Sequence, residues 1–255
     1  MTIFSSNNKS LFILQCSSIL LILFGIILGV NFNIYYLLLS ICMFYVYSIF
    51  GISMMLHRYY THKSFELHPA VKYFFTLFAI LAGRGSPLGW TYIHRIHHGF
   101  SDTEKDPHSP HFSSFNFIGF KPVQDPTKKI NYFIIKDLMN PIQLKIDKYY
   151  LLIIITFLLL LFMIDYSLVL YAWALPVFTV SITQTLFNYF AHKQGYRNFE
   201  TNDKSTNNIF LWPFILGDAW HNNHHHAANK LSTKIRSFEF DPIVGFINII
   251  SKKNV

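Results

Sequence analysis

Four long apolar runs, joined in pairs by very short linkers, constrain the fold of this 255-residue chain most strongly. We predict four membrane-spanning helices, at about 10–30, 34–56, 149–164 and 167–189. Each run approaches the ~20 predominantly apolar residues that a helix needs to cross a bilayer. The linkers 31–33 and 165–166 leave room only for a reversal of the chain. Each pair is therefore predicted to be a helical hairpin that returns to the side it left.

The positive charges support this topology. All 21 lysines and arginines lie outside the predicted hairpins, at Lys9, between 58 and 148, and between 193 and 253, whereas the linkers carry one charged residue, Asp165. Cytoplasmic loops of membrane proteins are enriched in lysine and arginine. We therefore predict that both termini are cytoplasmic. The net charge of +8 is explained by this arrangement, so no nucleic-acid partner is inferred.

The predicted fold is an all-α, multi-pass integral membrane protein with a single domain, 1–255. A cytosolic helical cap is expected at about 57–148 and 190–255. The apolar stretch Val71–Ala82 precedes a glycine- and proline-containing turn and is too short to span a bilayer. We predict that it forms an interfacial or re-entrant helix on the cytoplasmic side.

Three short segments on that side hold eight of the thirteen histidines: His57–His62, His94–His98 and His221–His225. Neutral imidazole is a common ligand for iron, zinc and copper. Eight imidazoles are too many for one metal ion, so the pattern predicts two metals at a membrane surface. No other feature narrows the chemistry as much.

The spacing within these segments is typical of ligands on helices. His94, His97 and His98 stand at i, i+3 and i+4, which share one face of an α-helix, and the last segment repeats the spacing with His221, His224 and His225. Each triplet is predicted to present three imidazoles to a common volume. His57 and His62 lie about 140° apart on an α-helix. They can share a site only if the helix ends between them; otherwise they serve different metals.

A fourth element lies at the cytoplasmic end of the last predicted span. His192 adds a ninth imidazole, and Asn188 lies one turn deeper on the same face, where it could hold a metal-bound water. The remaining histidines lack such support. We expect ordinary surface positions or supporting roles for His68, His108, His111 and His226.

The donor set favours a borderline ion such as Fe²⁺ or Zn²⁺ over Mg²⁺ or Ca²⁺. A zinc hydrolase motif of the form H-E-x-x-H is absent from the sequence, and so is the Glu-x-x-His motif of soluble di-iron bundles. Two irons with histidine ligands and open coordination positions would suit the activation of O₂.

From about residue 50 to 245, the chain resembles the membrane fatty acyl desaturases of the stearoyl-CoA or bacterial Δ9 type. The resemblance rests on His57–His62, Trp90–His98 with Ser101–His108, Asn188–His192, and Gly217–His225. It implies an O₂-dependent enzyme with two Fe²⁺ ions and two external electrons. The product would be a cis double bond, with Δ9 expected, in a long acyl chain.

The resemblance also implies roles for single residues. The nine histidines would ligate the irons, and Asn188 would hold iron through water. Trp90 matches a tryptophan that lines the acyl tunnel. The sequence departs from the usual pattern at Arg84, where glutamine is common; at Gln184, a tunnel position where threonine is usual; and at Asp218, where glutamate is common.

Four carboxylates near the histidines are expected to orient the imidazoles and offset the metal charge. They are Asp102, Glu104, Asp106 and Asp218. We expect the closed end of the tunnel about seven to ten residues before His57, near Tyr47, Ser48 and Gly51.

Several alternatives remain open at this stage. A di-iron membrane hydroxylase or monooxygenase would use the same ligands, and a non-enzymatic metal carrier or transporter is possible in principle. A transporter requires polar groups along a path through the bilayer, which the predicted spans almost lack. The acyl group could be carried by CoA, by a carrier protein or by a lipid. A separate ferredoxin or cytochrome b5 type donor is expected to supply electrons.

Overall fold

The computed structural model of the protein describes residues 8–27, 30, 33–111 and 131–252. The described chain is helical and contains no β-strand, only three isolated bridges. Part of the predicted cap, residues 112–130, lies outside the described residues. The helices, numbered in chain order, are α1 (Asn8–Ile27), α2 (Ile34–Thr61), α3 (Pro69–Leu81), α4 (Pro87–Phe100), α5 (Pro141–Lys148), α6 (Tyr150–Ile164), α7 (Tyr166–Phe190), α8 (His221–His226) and α9 (Pro242–Ile250).

Two of these helices, α2 and α7, are long and apolar enough to cross a membrane. A third crossing would be possible if α5 and α6, which meet at a bend of 61°, formed one span. The described apolar part of α1, Leu14–Ile27, falls short of the same length. The structure therefore supports two or three candidate spans, and the four-span arrangement stays a prediction.

The first turn of α2 and the residue between α6 and α7 lie at the same end of the helix bundle. The hydroxyl of Tyr36, in the first turn of α2, donates a hydrogen bond to Asp165, which separates α6 from α7. The ring of Tyr36 also stacks on Tyr171 of α7 at 5.5 Å. Both α1 and α2 pack against α7. This geometry is the one expected of paired hairpins.

The second half of α2, Val46–Thr61, is wound as a π-helix. Successive amides in such a helix bond to the carbonyl five residues earlier, as the amide of His62 does to the carbonyl of His57 at 3.1 Å. The sequence analysis left two possibilities, a helix end between His57 and His62 or ligation of different metals, and the π-helical winding is a third. Residues five apart come to lie on one side of a π-helix, so the two imidazoles stand only 4.9 Å apart, centroid to centroid.

Helix α3 has the short length expected from the sequence and packs along the π-helical part of α2. The two backbones are closest at Gly51, where an added Cβ would come within 2.7 Å of the Phe78 carbonyl oxygen. Only glycine permits this approach. The packing brings the loop after α3 beside α2, and α4 then returns toward the histidines of α2.

Candidate metal centre

Helix α4 is positioned by a well-formed N-terminus. Ser86 caps it by accepting a hydrogen bond from the Gly89 amide at 3.2 Å, and Pro87 occupies the first helical position. The next two turns carry His94, His97 and His98. Trp90 stacks on the ring of His94 at 4.5 Å, which places the predicted tunnel residue directly beside the histidines.

The structure divides the nine histidines into two adjacent groups. Cluster A contains His57, His62, His94, His98 and His224, and cluster B contains His97, His192, His221 and His225. Within each cluster, one candidate ligand atom from every residue lies within 4.8 Å of the others. The clusters adjoin where the rings of His98 and His225 stack at 4.4 Å.

This division corrects the prediction that each triplet serves one volume. On α4, His94 and His98 enter cluster A and His97 enters cluster B; on α8, His221 and His225 enter cluster B and His224 enters cluster A. The reason is geometric. Residues at i and i+4 are about 40° apart on an α-helix, whereas the residue at i+3 lies about 100° from i+4. Two neighbouring helices can therefore supply two sites side by side.

The ligand atoms converge at distances that suit a metal. The Nε2 atoms of His57 and His224 lie 2.9 Å apart, and the Nε2 atoms of His192 and His221 lie 3.0 Å apart. With metal–nitrogen bonds of about 2.1 Å, ligands at right angles would be separated by about 3 Å. The Nε2 atoms of His62 and His225 are buried without a hydrogen-bond partner. An all-imidazole set of this kind fits iron or zinc.

Carboxylates hold three imidazoles of cluster B by their Nδ1 atoms. His192 donates to Asp102 at 2.8 Å, His97 to Asp106 at 3.0 Å, and His225 to Asp203 at 2.6 Å. Donation from Nδ1 leaves Nε2 unprotonated and directed at the cluster. Asp102 and Asp106 were predicted from their proximity in the sequence. Asp203 was missed, because it lies 22 residues before His225 in a loop.

Asp102 connects several parts of the site. Its backbone has a left-handed conformation, with φ of 57°, which aspartate tolerates better than most residues. Its carboxylate also accepts hydrogen bonds from the Lys204 amide at 2.8 Å and from Ser109 at 3.0 Å. Burial raises the pKa of this carboxyl, but the hydrogen bond from His192 and the other donors outweigh it and lower the pKa to about 2. Asp102 is therefore an anion at neutral pH.

Among the described residues, one carboxylate contacts cluster A: the Oδ1 atom of Asp218 lies 3.4 Å from the Nδ1 atom of His57. The same carboxylate accepts from the Arg58 guanidinium at 3.2 Å, and Asp241 accepts from that guanidinium on its other side. All three groups are buried. Asp218 therefore joins a metal-site histidine to a buried ion pair. Asp241 could not have been placed from the sequence, since it lies 183 residues from Arg58.

Burial favours the form of imidazole that binds metals. It lowers the pKa of His94, His98, His221 and His224 well below the ordinary value of 6.5, with the neighbouring histidines adding to the effect. These rings are neutral at pH 7, with a lone pair free for a metal.

The two asparagines between the histidines of α8 anchor this short helix. Asn207 accepts from the Asn222 amide at 3.0 Å and donates to Asn223 at 2.9 Å. The side chain of Asn223 donates in turn to Glu239 at 2.9 Å. A helix of six residues has little stability of its own. This polar network therefore fixes the position of His221, His224 and His225.

Other predicted positions have different surroundings. Glu104 is exposed and makes no hydrogen bond or ion pair within the described residues, which overturns its expected role in orienting an imidazole. Asn188 is half-buried in the last turn of α7, one turn before His192, and its link to a metal stays a prediction.

His111 hydrogen-bonds to the His192 carbonyl at 2.8 Å, and His108 stacks on His97 at 4.2 Å. Both have the supporting positions allowed by the sequence.

The residues expected at the end of the tunnel, Tyr47, Ser48 and Gly51, lie on α2 and differ in their surroundings. Tyr47 is fully buried and donates a hydrogen bond to the Ala172 carbonyl at 3.0 Å. Gly51 faces the backbone of α3, so a larger residue there would disturb helix packing before it could block a tunnel. Ser48 is buried, and Gln184 is half-buried on α7. Their contact with a substrate stays a prediction.

Comparisons with known proteins agree with this geometry. The model of the family "fatty acid desaturase" matches residues 32–233. The sn-1 stearoyl-lipid 9-desaturase of Anabaena variabilis is 35% identical over 178 residues, which cover 69% of this chain and 65% of that protein. Delta-9 acyl-lipid desaturase 1 of Arabidopsis thaliana is 32% identical over 212 residues (78% and 68%). The acyl-CoA C20 Delta5-desaturase of Anemone leveillei is 33% identical over 207 residues (76% and 62%).

The matched segments span about two thirds or less of the length of these relatives. The matched part of this chain includes all nine clustered histidines. Both the family match and the arrangement of two adjacent histidine clusters lead to the same assignment: the chain belongs to the fatty acid desaturase family.

Proposed function

We propose that this protein is an O₂-dependent fatty acyl desaturase that introduces a cis double bond, at Δ9, into a long acyl chain. The observation that carries the proposal is the pair of adjacent clusters with five and four imidazoles and no other ligand type. Relatives named for Δ9 and Δ5 chemistry occur among the similar proteins, so the position of the double bond is part of the proposal.

Two Fe²⁺ ions, with O₂ and two external electrons, would supply the oxidant that removes hydrogen from two adjacent methylenes. The nine histidines would hold the irons, and Asn188 would contribute through a water molecule. The carboxylates of Asp102, Asp106, Asp203 and Asp218 accept the Nδ1 protons and offset the positive charge.

The protein's further task is to position the acyl chain and exclude water. Trp90 is suited to this task, since it stacks on His94 and lies 6.1 Å from His57, centroid to centroid. We propose that the acyl chain passes this tryptophan and continues along α7 near Gln184. Tyr47 and Ser48 would bound its deeper part.

We also propose the four-span topology, with the histidines and both termini in the cytoplasm. The contact between Tyr36 and Asp165 supports it, because that contact brings the start of α2 beside the junction of α6 and α7. Reporter fusions test the topology. A cytoplasmic reporter should be active when fused after residue 252 and inactive when inserted at residues 31–33.

The main experiment is expression in a desaturase-deficient host, followed by lipid analysis with localisation of the double bond. We expect monounsaturated chains with the double bond at carbon 9, absent from cells that express His97→Ala. A hydroxylated product would identify a monooxygenase instead. Iron uptake without any lipid product would favour a metal carrier.

The electron donor is proposed to be a separate ferredoxin or cytochrome b5 type protein. The acyl substrate would be carried by CoA, by acyl-carrier protein or by a lipid, and both acyl-lipid and acyl-CoA are named for relatives. Purified protein should be supplied with each donor and each acyl form in turn. The fastest pair identifies the natural partners.

A further inference from the structure

The arginines of this chain provide an internal comparison. Four of the five donate hydrogen bonds to protein groups: Arg58, Arg95, Arg197 and Arg236. The two that help position the histidine-bearing helices, Arg58 and Arg95, are neutralised by carboxylates. Such pairing is expected, because an ionised group removed from water needs a partner.

Arg84 is the exception. Arg84 is half-buried, and its Nη1 atom is enclosed without any hydrogen-bond partner. The guanidinium makes no hydrogen bond or ion pair with any residue of the described chain. Arginine does not lose its proton in proteins, so the charge remains. The end of α3 nearby contributes a favourable dipole, but a dipole does not occupy the five N–H donors of a guanidinium.

The loop that carries Arg84 is held firmly between helices. Gly83 has φ of 69° and lies against Val177 of α7, where an added Cβ would come within 2.9 Å of a methyl group. The amide of Gly85 donates to the Tyr150 hydroxyl of α6 at 3.0 Å. The backbone on both sides of Arg84 is therefore held by α6 and α7, and the enclosed Nη1 atom belongs to this packed loop.

The loop also lies close to the metal centre. Ala82 contacts α2 at Gly51, which is six residues before His57 and therefore less than about 9 Å from it along the helix axis. Helix α4 begins three residues after Arg84, and Trp90 lies on it one turn before His94. A ligand held at Arg84 would consequently have its remaining atoms within reach of the surface of cluster A.

We propose that Arg84 forms a binding site for the oxyanion of an amphiphile, either the carboxylate of a free fatty acid or the phosphate of an anionic lipid. Both groups match the planar fork of a guanidinium and form paired, charge-assisted hydrogen bonds with it. The apolar part of the amphiphile would pack against apolar side chains of the surrounding helices. The site is defined by binding alone, so the binding test and the test of desaturase activity can fail independently of each other.

Binding measurements on the full chain in a neutral detergent test this site. The probes are stearate against methyl stearate, and phosphatidic acid against phosphatidylcholine with the same acyl chains. We expect the wild-type protein to prefer one anionic probe about 10- to 100-fold over its neutral counterpart. Arg84→Gln should abolish that preference, and Arg84→Lys should retain only part of it. Lys148→Gln removes an exposed positive charge and should leave the preference unchanged.

The probe that shows the preference identifies the source of the oxyanion. Equal binding of anionic and neutral probes by the wild-type protein would overturn the proposal, as would an undiminished preference in Arg84→Gln. The thermal stability of the ligand-free protein gives a second measurement. Arg84→Gln should raise the melting temperature, since it removes an unpaired buried charge, and the wild-type protein should regain the difference with the preferred probe. A melting temperature lowered by Arg84→Gln without ligand would contradict an unpaired charge.

Discussion

Clusters A and B contain the same kind of ligand but are supported in different ways. Cluster A has five imidazoles and one carboxylate contact, between His57 and Asp218. Cluster B has four imidazoles, and three of them donate to carboxylates, all of which come from loops. Cluster A is thus built by helix packing, whereas cluster B depends on charged loop residues that fix its rings.

The difference has an electrostatic consequence. A metal in cluster B would lie near three anions, of which Asp102 and Asp106 are buried and Asp203 is half-buried, and these anions raise the basicity of its ligands and offset its charge. A metal in cluster A would have one such anion, and that anion is shared with Arg58. We therefore expect metal binding in cluster B to be sensitive to carboxylates, and metal binding in cluster A to be sensitive to the helix framework.

The largest effects should follow from loss of a histidine in either cluster. His94→Ala and His97→Ala change residues only three positions apart on α4, but the first removes a candidate ligand from cluster A and the second removes one from cluster B. We expect both to abolish desaturation and to lower bound iron from about two ions to about one per chain. The loss should be more complete for His97→Ala, since cluster B has fewer ligands. Iron analysis and product analysis check this, with the exposed His68→Ala as a control. Full activity with normal iron in His97→Ala would refute the ligand assignment.

The next largest effect should come from Asp203. Asp203→Asn keeps the size of the side chain but removes the anion that accepts the proton of His225. We expect metal affinity at cluster B to fall about 10- to 100-fold, with little change in folding. Competition with a chelator measures the affinity. Glu104→Gln is the matched control, since that carboxylate is exposed and should have no measurable effect.

Asp218 should behave in the opposite way. Asp218→Asn removes one partner of the buried Arg58 pair, so we expect a loss of about 3–5 kcal/mol in the free energy of unfolding, moderated by the remaining Asp241. Metal affinity should change less than in Asp203→Asn. Denaturant unfolding in detergent, compared with chelator competition, separates the two effects. Equal loss of metal in both variants would remove the distinction between the clusters.

The smallest of these effects on metal content should come from Asn188. Asn188→Ala should reduce turnover while most of the iron is retained, because its proposed link to iron is through water. Complete loss of one iron would show that Asn188 is a direct ligand or is needed for folding. Iron content and turnover of the same preparation provide the measurement.

Local patterns in the sequence were sufficient for much of the fold. The apolar runs predicted α2, α6 and α7 closely, and the short apolar stretch before Arg84 predicted a helix too short to span. The length of a hydrophobic run is a property of contiguous residues, so it can be recognised without tertiary contacts. The number of crossings depends on how the helices lie relative to a bilayer, which the length alone does not decide.

The histidines of the candidate centre could also be predicted from the sequence, because imidazoles at helical spacing are recognised as candidate metal ligands by residue type. Two carboxylates of cluster B, Asp102 and Asp106, lie within ten residues of His97 and could be found by proximity. The tertiary structure alone divided the triplets between two clusters, brought Asp203 to His225 and Asp241 to Arg58, and left Arg84 without a hydrogen-bond partner among the described residues. These outcomes depend on helix winding and on contacts between distant segments. The spacing of residues along the sequence does not indicate either of them.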